Sequence, residues 1–237
     1  MNFSFSFLMT ALAAAAAKIP VTLFLSAAPM LAGCAVGFFV ALARFFRVPV
    51  LAPLFRWGVA IVKGIPVVLI LLVFYVWAAV FYEPVMRFFG IASEFKNLDK
   101  ALIAIAAFSV YAVAGLSEAF RGGLASVKKG QFDAAFAAGL NLRQTLLRIV
   151  LPQSLPAALP MTGNIFIALT KAAALASMVS VIDVMNAALI SANSNYRFLE
   201  AYVAAALIYW GICIIIEKIF SALEGRFARK TRNTKGT

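Results

Sequence analysis

Long apolar runs separated by short polar segments make up most of the chain. The runs extend from Pro20 to Ala43, Pro53 to Phe81, Ala101 to Ser117, Leu155 to Ile182 and Ala201 to Ile216. A helix that crosses the hydrocarbon of a bilayer needs about 20 mostly apolar residues. The pattern therefore predicts an all-α integral membrane protein with transmembrane helices near 20–43, 55–81, 101–117, 157–182 and 201–218. These five spans form one transmembrane domain over residues 1–237. The alanine-rich stretch before the first run, Ala11 and Ala13 to Ala17, lacks the basic n-region of a secretory signal. It is expected to form an interfacial or span-leading helix on the outer side.

One stretch breaks the greasy pattern, Gln131 to Pro152, within a polar loop at 121–152. After Lys128-Lys129-Gly130, which ends the preceding structure, Phe132, Phe136 and Leu140 recur every four residues. That spacing places them on one stripe of a helix of about two to three turns. Asp133 falls in its expected first turn, where the helix dipole favours a negative charge. Gly139 is placed to end the helix in a left-handed conformation. Asn141 and Gln144 have the spacing of a capping box, which predicts a second short helix from Leu142 to about Val150. Pro152 then punctuates the return to the membrane. The aromatic stripe has two available uses. It fits a groove on another protein, or it packs on the ends of the chain's own spans.

Composition agrees with the membrane reading: 64% of residues are hydrophobic and 13% are charged, unlike a soluble domain. The net charge of +12 acquires meaning from its distribution. Lys18 alone precedes the first run, and Arg44, Arg47 and Arg56 follow it. The next polar segment, Glu83 to Lys100, is balanced. Arg121, Lys128, Lys129, Arg143 and Arg148 cluster in the 121–152 region, Arg197 stands alone, and Lys218, Arg226, Arg229, Lys230, Arg232 and Lys235 end the chain. Basic residues mark cytoplasmic loops, so the N-terminus is expected outside, with the 121–152 loop and the C-terminus in the cytoplasm. The charge is an orientation signal, and no nucleic-acid partner is expected.

Several chemistries are excluded. The chain has no histidine, hence no His-based catalysis or His metal site. It has no G-x-x-x-x-G-K-[ST] phosphate loop, so any ATP must be bound by another chain. Cys34 and Cys213 lie inside the first and last runs, which argues against a disulfide framework. With no acid–base or nucleophile cluster, no catalytic residues and no metal site are predicted.

Polar groups inside the spans are few. Lys171 lies near the middle of the fourth run, where a cation is costly and normally faces the protein interior. Asn164 and Met178 stand seven residues to either side, on the same helix face, with Ala168 and Leu175 between. Two readings stay open: this face lines a pathway, or Lys171 is paired at a subunit interface. Pro152, Pro156 and Pro160 predict a loosened entry to this helix. Gly33 and Gly37 form a G-x-x-x-G that permits close helix packing. Trp57, Trp77, Tyr82 and Tyr196 lie near run ends, as an aromatic belt would place them.

The spacing Asp133-Ala134-Ala135, Gly139, Ile149-x-Leu151-Pro152 resembles the signature of permease subunits in ATP-binding-cassette importers of type I. The family consensus has Glu where this chain has Asp133. The segments "EAFRGGLASVKKGQFDAAFAAGL" and "LPQSLPAALP", with "KGIP" at Lys63 to Pro66 and "SVIDV" at Ser180 to Val184, look like the polar amino-acid branch. The resemblance runs from about Lys18 into the tail.

It implies the type I permease fold, with five spans and the N-terminus outside, in the bacterial cytoplasmic (inner) membrane. It also implies a second permease subunit, an ATPase dimer that binds ATP and magnesium, an extracytoplasmic binding protein and an amino-acid substrate moved by alternating access. No cofactor is expected in this chain. Phe132 to Leu140 would be the coupling helix, with Phe132, Asp133, Ala134, Ala135, Phe136, Gly139 and Leu140 as coupling residues. Lys63, Pro66, Asn164, Lys171 and Met178 are the pathway candidates. Relatives carry polar groups after the lysine and around "KGIP", where this chain has Ala172-Ala173-Ala174, Ala60 and Ile70; a less polar pathway is implied. The alternative is a self-sufficient secondary carrier or channel, for which five spans without an internal repeat are an unusual basis.

Overall fold

A computed structural model describes residues 3–233, with side chains as far as Phe227. Lys235, and the side chains of Arg229, Lys230 and Arg232, lie outside the described residues. The elements in order are α1 (Phe5–Ala16), α2 (Ile19–Phe45), α3 (Leu51–Gly64), α4 (Val67–Phe88), a 3-10 turn (Phe95–Asn97) and α5 (Lys100–Ala125). Then come α6 (Lys129–Ala137), α7 (Leu142–Thr145), a π-turn (Leu146–Val150), α8 (Leu151–Ala172), a 3-10 segment (Ala173–Val179), α9 (Val184–Ala192) and α10 (Phe198–Asn233). Five helical stretches are long and apolar enough to cross a membrane: Ile19–Phe45, Val67–Phe88, Lys100–Ala125, Leu142–Val179 and Phe198–Phe227.

Two boundaries differ from the hydropathy expectation for definite reasons. The run at 55–81 is broken, because Ile65 is extended (φ −103°, ψ 130°) ahead of Pro66. Proline crowds the residue before it out of the α region, so the span starts at Val67 and α3 is a separate helix. Its Val59 packs between Val40 of α2 and Ala114 of α5. The fourth span starts earlier, since α7, the π-turn and α8 form one continuous stretch from Leu142. Pro152 has no amide to donate and its ring crowds the carbonyl four residues back; the wider π-turn immediately upstream absorbs that defect. Pro156 and Pro160 remain inside α8, so the loosening lies ahead of the prolines rather than among them. α5 and α10 also run past their predicted ends, to Ala125 and Asn233.

The Gly33–Gly37 motif seats α2 on α5. A Cβ at Gly33 would stand 2.7 Å from Ala112 Cβ, and one at Gly37 would stand 3.2 Å from the Ser117 nitrogen. α8 approaches α5 in the same way, where a Cβ on Gly123 would meet the Ser154 carbonyl oxygen at 2.7 Å. Around these contacts Leu25, Leu71, Phe108, Leu116 and Leu169 build the core. Buried close packing of this kind, with glycines admitting the backbones, is what holds helices together where lipid offers no hydrophobic drive.

α9 is an element the hydropathy pattern does not reveal. Asp183 caps it by accepting the Asn186 amide at 2.9 Å. α1 packs on α9 and α10 through Ala11 and Ala15, and Ser4 donates its amide to Glu200 at 3.0 Å. Trp77 departs from the belt expectation, since it sits mid-way along α4 and is exposed. Most of α4 is bare, with Ile70 and Leu71 its buried residues.

Candidate functional site

α6 is short, and its ends explain its limits. Lys128, with φ −62° and ψ 138°, is its N-cap, so Lys129 and Gly130 belong to its first turn. Asp133 therefore lies one turn further in than the sequence spacing suggests, beyond the reach of the N-terminal dipole charge. At the other end Gly139 takes φ +80°. Its amide donates to Phe136 O and that of Leu140 to Ala135 O, both at 3.0 Å, which is a complete Schellman closure. Asn141 and Gln144 then exchange the two bonds of the capping box, at 2.9 and 3.0 Å. The turn between α6 and α7 is thus tied by its own backbone and caps.

The stripe of Phe132, Phe136 and Leu140 does not act as one surface. Phe132 is half-buried and stacks on Phe45, with ring centroids 6.2 Å apart and planes at 29°. It joins a cluster of Leu124, Val127 and Val150. Ala135 is buried, whereas Phe136 is 47% exposed and Asp133, Ala134 and Ala137 are also exposed. The reason is helical drift: each i to i+4 step turns the side chain by about 40°. The seated face centres between Phe132 and Ala135, so Phe136 passes over its edge. Leu140 lies beyond the helix and is half-buried. Gln131 also meets Gln153 of α8 at 3.2 Å.

Beside this helix stands an ion cluster that sequence reading missed. Arg44 Nη2 meets Glu118 Oε1 at 2.7 Å, and Arg121 meets Glu118 Oε2 at 2.8 Å. Arg44 Nη1 is buried with no acceptor among the described residues. Glu118 and Arg121 share a helix face at i, i+3, a signal available in sequence; the pairing with Arg44 is tertiary. At the opposite end of the bundle, the Tyr209 hydroxyl donates to Asp183 Oδ2 at 2.6 Å. The Val184 amide donates to Thr22 at 3.2 Å, so α2, α9 and α10 are joined there. Burial pushes the Asp183 carboxyl up from its ordinary range, against opposing hydrogen bonds from Tyr209 and the backbone.

The pathway candidates fall on two separate parts of the chain. Asn164 and Lys171 are exposed on one side of α8, with Ala168 half-exposed between them, whereas Met178 is exposed on the following 3-10 segment, whose three residues per turn carry it off the single face that an α-helix would give. Lys171 makes no ion pair among the described residues. Lys63 and Pro66 are exposed at the break between α3 and α4. Ile70, Ala172 and Ala173 are core residues instead, and Ala60 is exposed.

Residues 33–229 match the family described as the binding-protein-dependent transport system inner membrane component. The chain belongs to this family. The permease is 34% identical, over 87% of its length and 86% of the relative's, to a probable amino-acid ABC transporter permease, YckA, of Bacillus subtilis (strain 168). An L-cystine transport system permease of the same organism, TcyL, is 30% identical over 90% of this chain and 87% of its own.

Two solved structures share the fold. A crystal structure of an amino acid ABC transporter with histidines matches with a TM-score of 0.79 and 24% identity, over 95% of this chain and all of that one. An inward-facing MetNI methionine ABC transporter matches with a TM-score of 0.70 and 17% identity, covering 90% and 95%. The fold is that of type I ABC-importer permeases, and the permease is a multi-pass transport subunit of the bacterial inner membrane.

Proposed function

We propose that the permease is the membrane subunit of an ATP-driven amino-acid importer, and that α6 docks it onto a separate ATPase dimer. The observation that carries this is the divided surface of α6. One side, Phe132 and Ala135, is seated on the permease, and the other, Asp133, Ala134, Phe136 and Ala137, is bare. A helix this short is not stable in isolation; here it is fixed by its C-terminal Schellman closure and a half-seat, leaving an aromatic-bearing face for a groove. The Asp133-Ala134-Ala135 signature falls on that helix, and its Gly139 occupies the left-handed closure.

Orientation follows from the same end of the bundle. The cluster of Leu124, Val127 and Val150 with Phe45 and Phe132 brings together the end of α2, the end of α5 and the start of α8. Arg44, Arg47, Arg121, Lys128, Lys129, Arg143 and Arg148 lie in or beside these segments, so this end is assigned to the cytoplasm and the N-terminus to the outside. ATP and magnesium belong to the ATPase. A second permease subunit and an extracytoplasmic binding protein complete the assembly, and the pathway alternates between inward and outward access.

The exposed side of α8 with Asn164 and Lys171 is assigned to the pathway, together with Met178 on the 3-10 segment beyond it and Lys63 and Pro66 at the break between α3 and α4. A cation within a span is not left facing lipid, so the bare Lys171 requires cover from water or from the second subunit. Co-purification tests the docking: tagged permease should retain an ABC ATPase, and Phe136→Ala should release it. Undiminished retention by Phe136→Ala would place the contact elsewhere.

A further inference from the structure

The seated side of α6 leads into the membrane domain through a series of close contacts. Phe132 lies against Phe45, the last residue of α2. Arg44, the residue before it, ties the end of α2 to Glu118 of α5 at 2.7 Å, and both side chains are largely buried. Further along, α2 and α5 approach so closely at Gly33 and Gly37 that a single added Cβ would clash or crowd. Two helices interlocked along their length and bridged at one end by a charge-assisted bond have no freedom to slide separately. Interiors packed like crystals pass strain on instead of absorbing it. A displacement delivered at Phe132 thus reaches α2 and α5 as one body, and α8 with them, because Gly123 rests on the Ser154 carbonyl.

We propose that Phe45 is a positioning residue for transport: its ring passes the movement of α6 to the α2–α5 pair, which the Arg44–Glu118 bridge makes a single lever. The proposal rests on the reading of α6 as the ATPase-docking helix. It separates two jobs on that helix, since Phe136 and its neighbours hold the ATPase while Phe132 and Phe45 transmit its motion. The competing role for Phe45 is a plain anchor that keeps α6 in place. An anchor and a transmitter differ in what is lost on truncation. Loss of an anchor weakens the ATPase complex; loss of a transmitter leaves the complex and wastes its ATP.

The test uses the full assembly of permease, ATPase and binding protein in liposomes of phosphatidylethanolamine and phosphatidylglycerol. Failure of the unaltered permease to retain any ATPase would refute the docking reading itself, before any variant is made. With that retention established, Phe45→Ala should keep the ATPase to within about twofold and continue to hydrolyse ATP. Amino acid moved per ATP should fall by about tenfold, a size typical of changes along a coupling route. Phe45→Leu, which refills most of the volume, should recover part of the ratio, and Arg44→Gln should lower the ratio while leaving retention unchanged. An unchanged ratio in Phe45→Ala overturns the proposal, as does loss of the ATPase in parallel with uptake. If Phe45→Ala fails to reach the membrane, Arg44→Gln and Phe45→Leu are read alone: a lowered ratio with retention intact supports the lever, and an unchanged ratio overturns it.

Discussion

Replacing Gly139 by valine changes a torsional preference and no contact. Nothing lies within 4 Å of the position a Cβ would occupy, yet φ is +80°. An L-residue in that region costs about 1–2 kcal/mol, with the β-branched side chains at the upper end. The Schellman closure, Gly139 to Phe136 and Leu140 to Ala135, depends on that torsion, so the strain acts on the last turn of α6 and the direction in which α7 leaves it. If the whole cost appears in docking, affinity for the ATPase falls by about five- to thirtyfold, at 1.4 kcal/mol per factor of ten. Asparagine enters the left-handed region more readily than other non-glycine residues, so the expected order is glycine, then Gly139→Asn, then Gly139→Ala, with Gly139→Val weakest. The assay is ATPase binding to purified permease in detergent, with membrane content and helicity measured on the same samples. Both should stay at wild-type levels, because the packed core of the spans contains no residue of this turn. Equal affinities across the series, or a rank that follows side-chain volume with asparagine among the worst, would refute the torsional argument.

The two phenylalanines of α6 should behave oppositely. Phe136→Ala should weaken ATPase binding by about tenfold or more, as loss of an aromatic anchor does, without lowering the melting temperature. Phe132→Ala should lower the melting temperature, and a reversed pattern would show that the bare and seated sides are misassigned. Lys171→Leu keeps bulk and removes an exposed charge from within a span, so it should fold normally and reduce uptake. Unchanged rate and substrate preference would exclude Lys171 from the pathway. Asp183 has a folded-state pKa raised above its unfolded value near 3.8 by burial, so the folded protein binds that proton more tightly than the unfolded chain. Stability should therefore rise as pH falls through the folded-state pKa, with the full gain below the unfolded value. Asp183→Asn should flatten that part of the thermal-melt pH profile; an unaltered profile would assign the dependence to another group.

Features legible in the sequence were those with a local cause. Apolar length marked the spans, and the Asn141–Gln144 capping box and the left-handed Gly139 were readable because each is written within a few residues. The G-x-x-x-G at Gly33 became a real helix contact because the missing Cβ lets Ala112 and Leu116 of α5 close in on its backbone. The break at Ile65 was hidden, since one proline in a long apolar run leaves the hydropathy unaltered while it removes the helix. The split of the aromatic stripe was hidden for a geometric reason. A four-residue repeat looks like a single face, and which part of it is seated depends on Phe45, far away in sequence. Arg44–Glu118 and Asp183–Tyr209 are likewise tertiary pairs. Arg44 read as an orientation charge, and it now also bridges two spans.

On the proposed function, this permease moves an amino acid only when an ATPase drives it. The direct measurement is uptake of labelled amino acids into liposomes holding the permease alone, compared with liposomes holding permease, ATPase and binding protein with ATP inside the ATPase-facing compartment. The permease alone should show no uptake, and uptake should require all three proteins and stop when ATP is replaced by ADP. Saturable, ATP-independent uptake by the permease alone would contradict it.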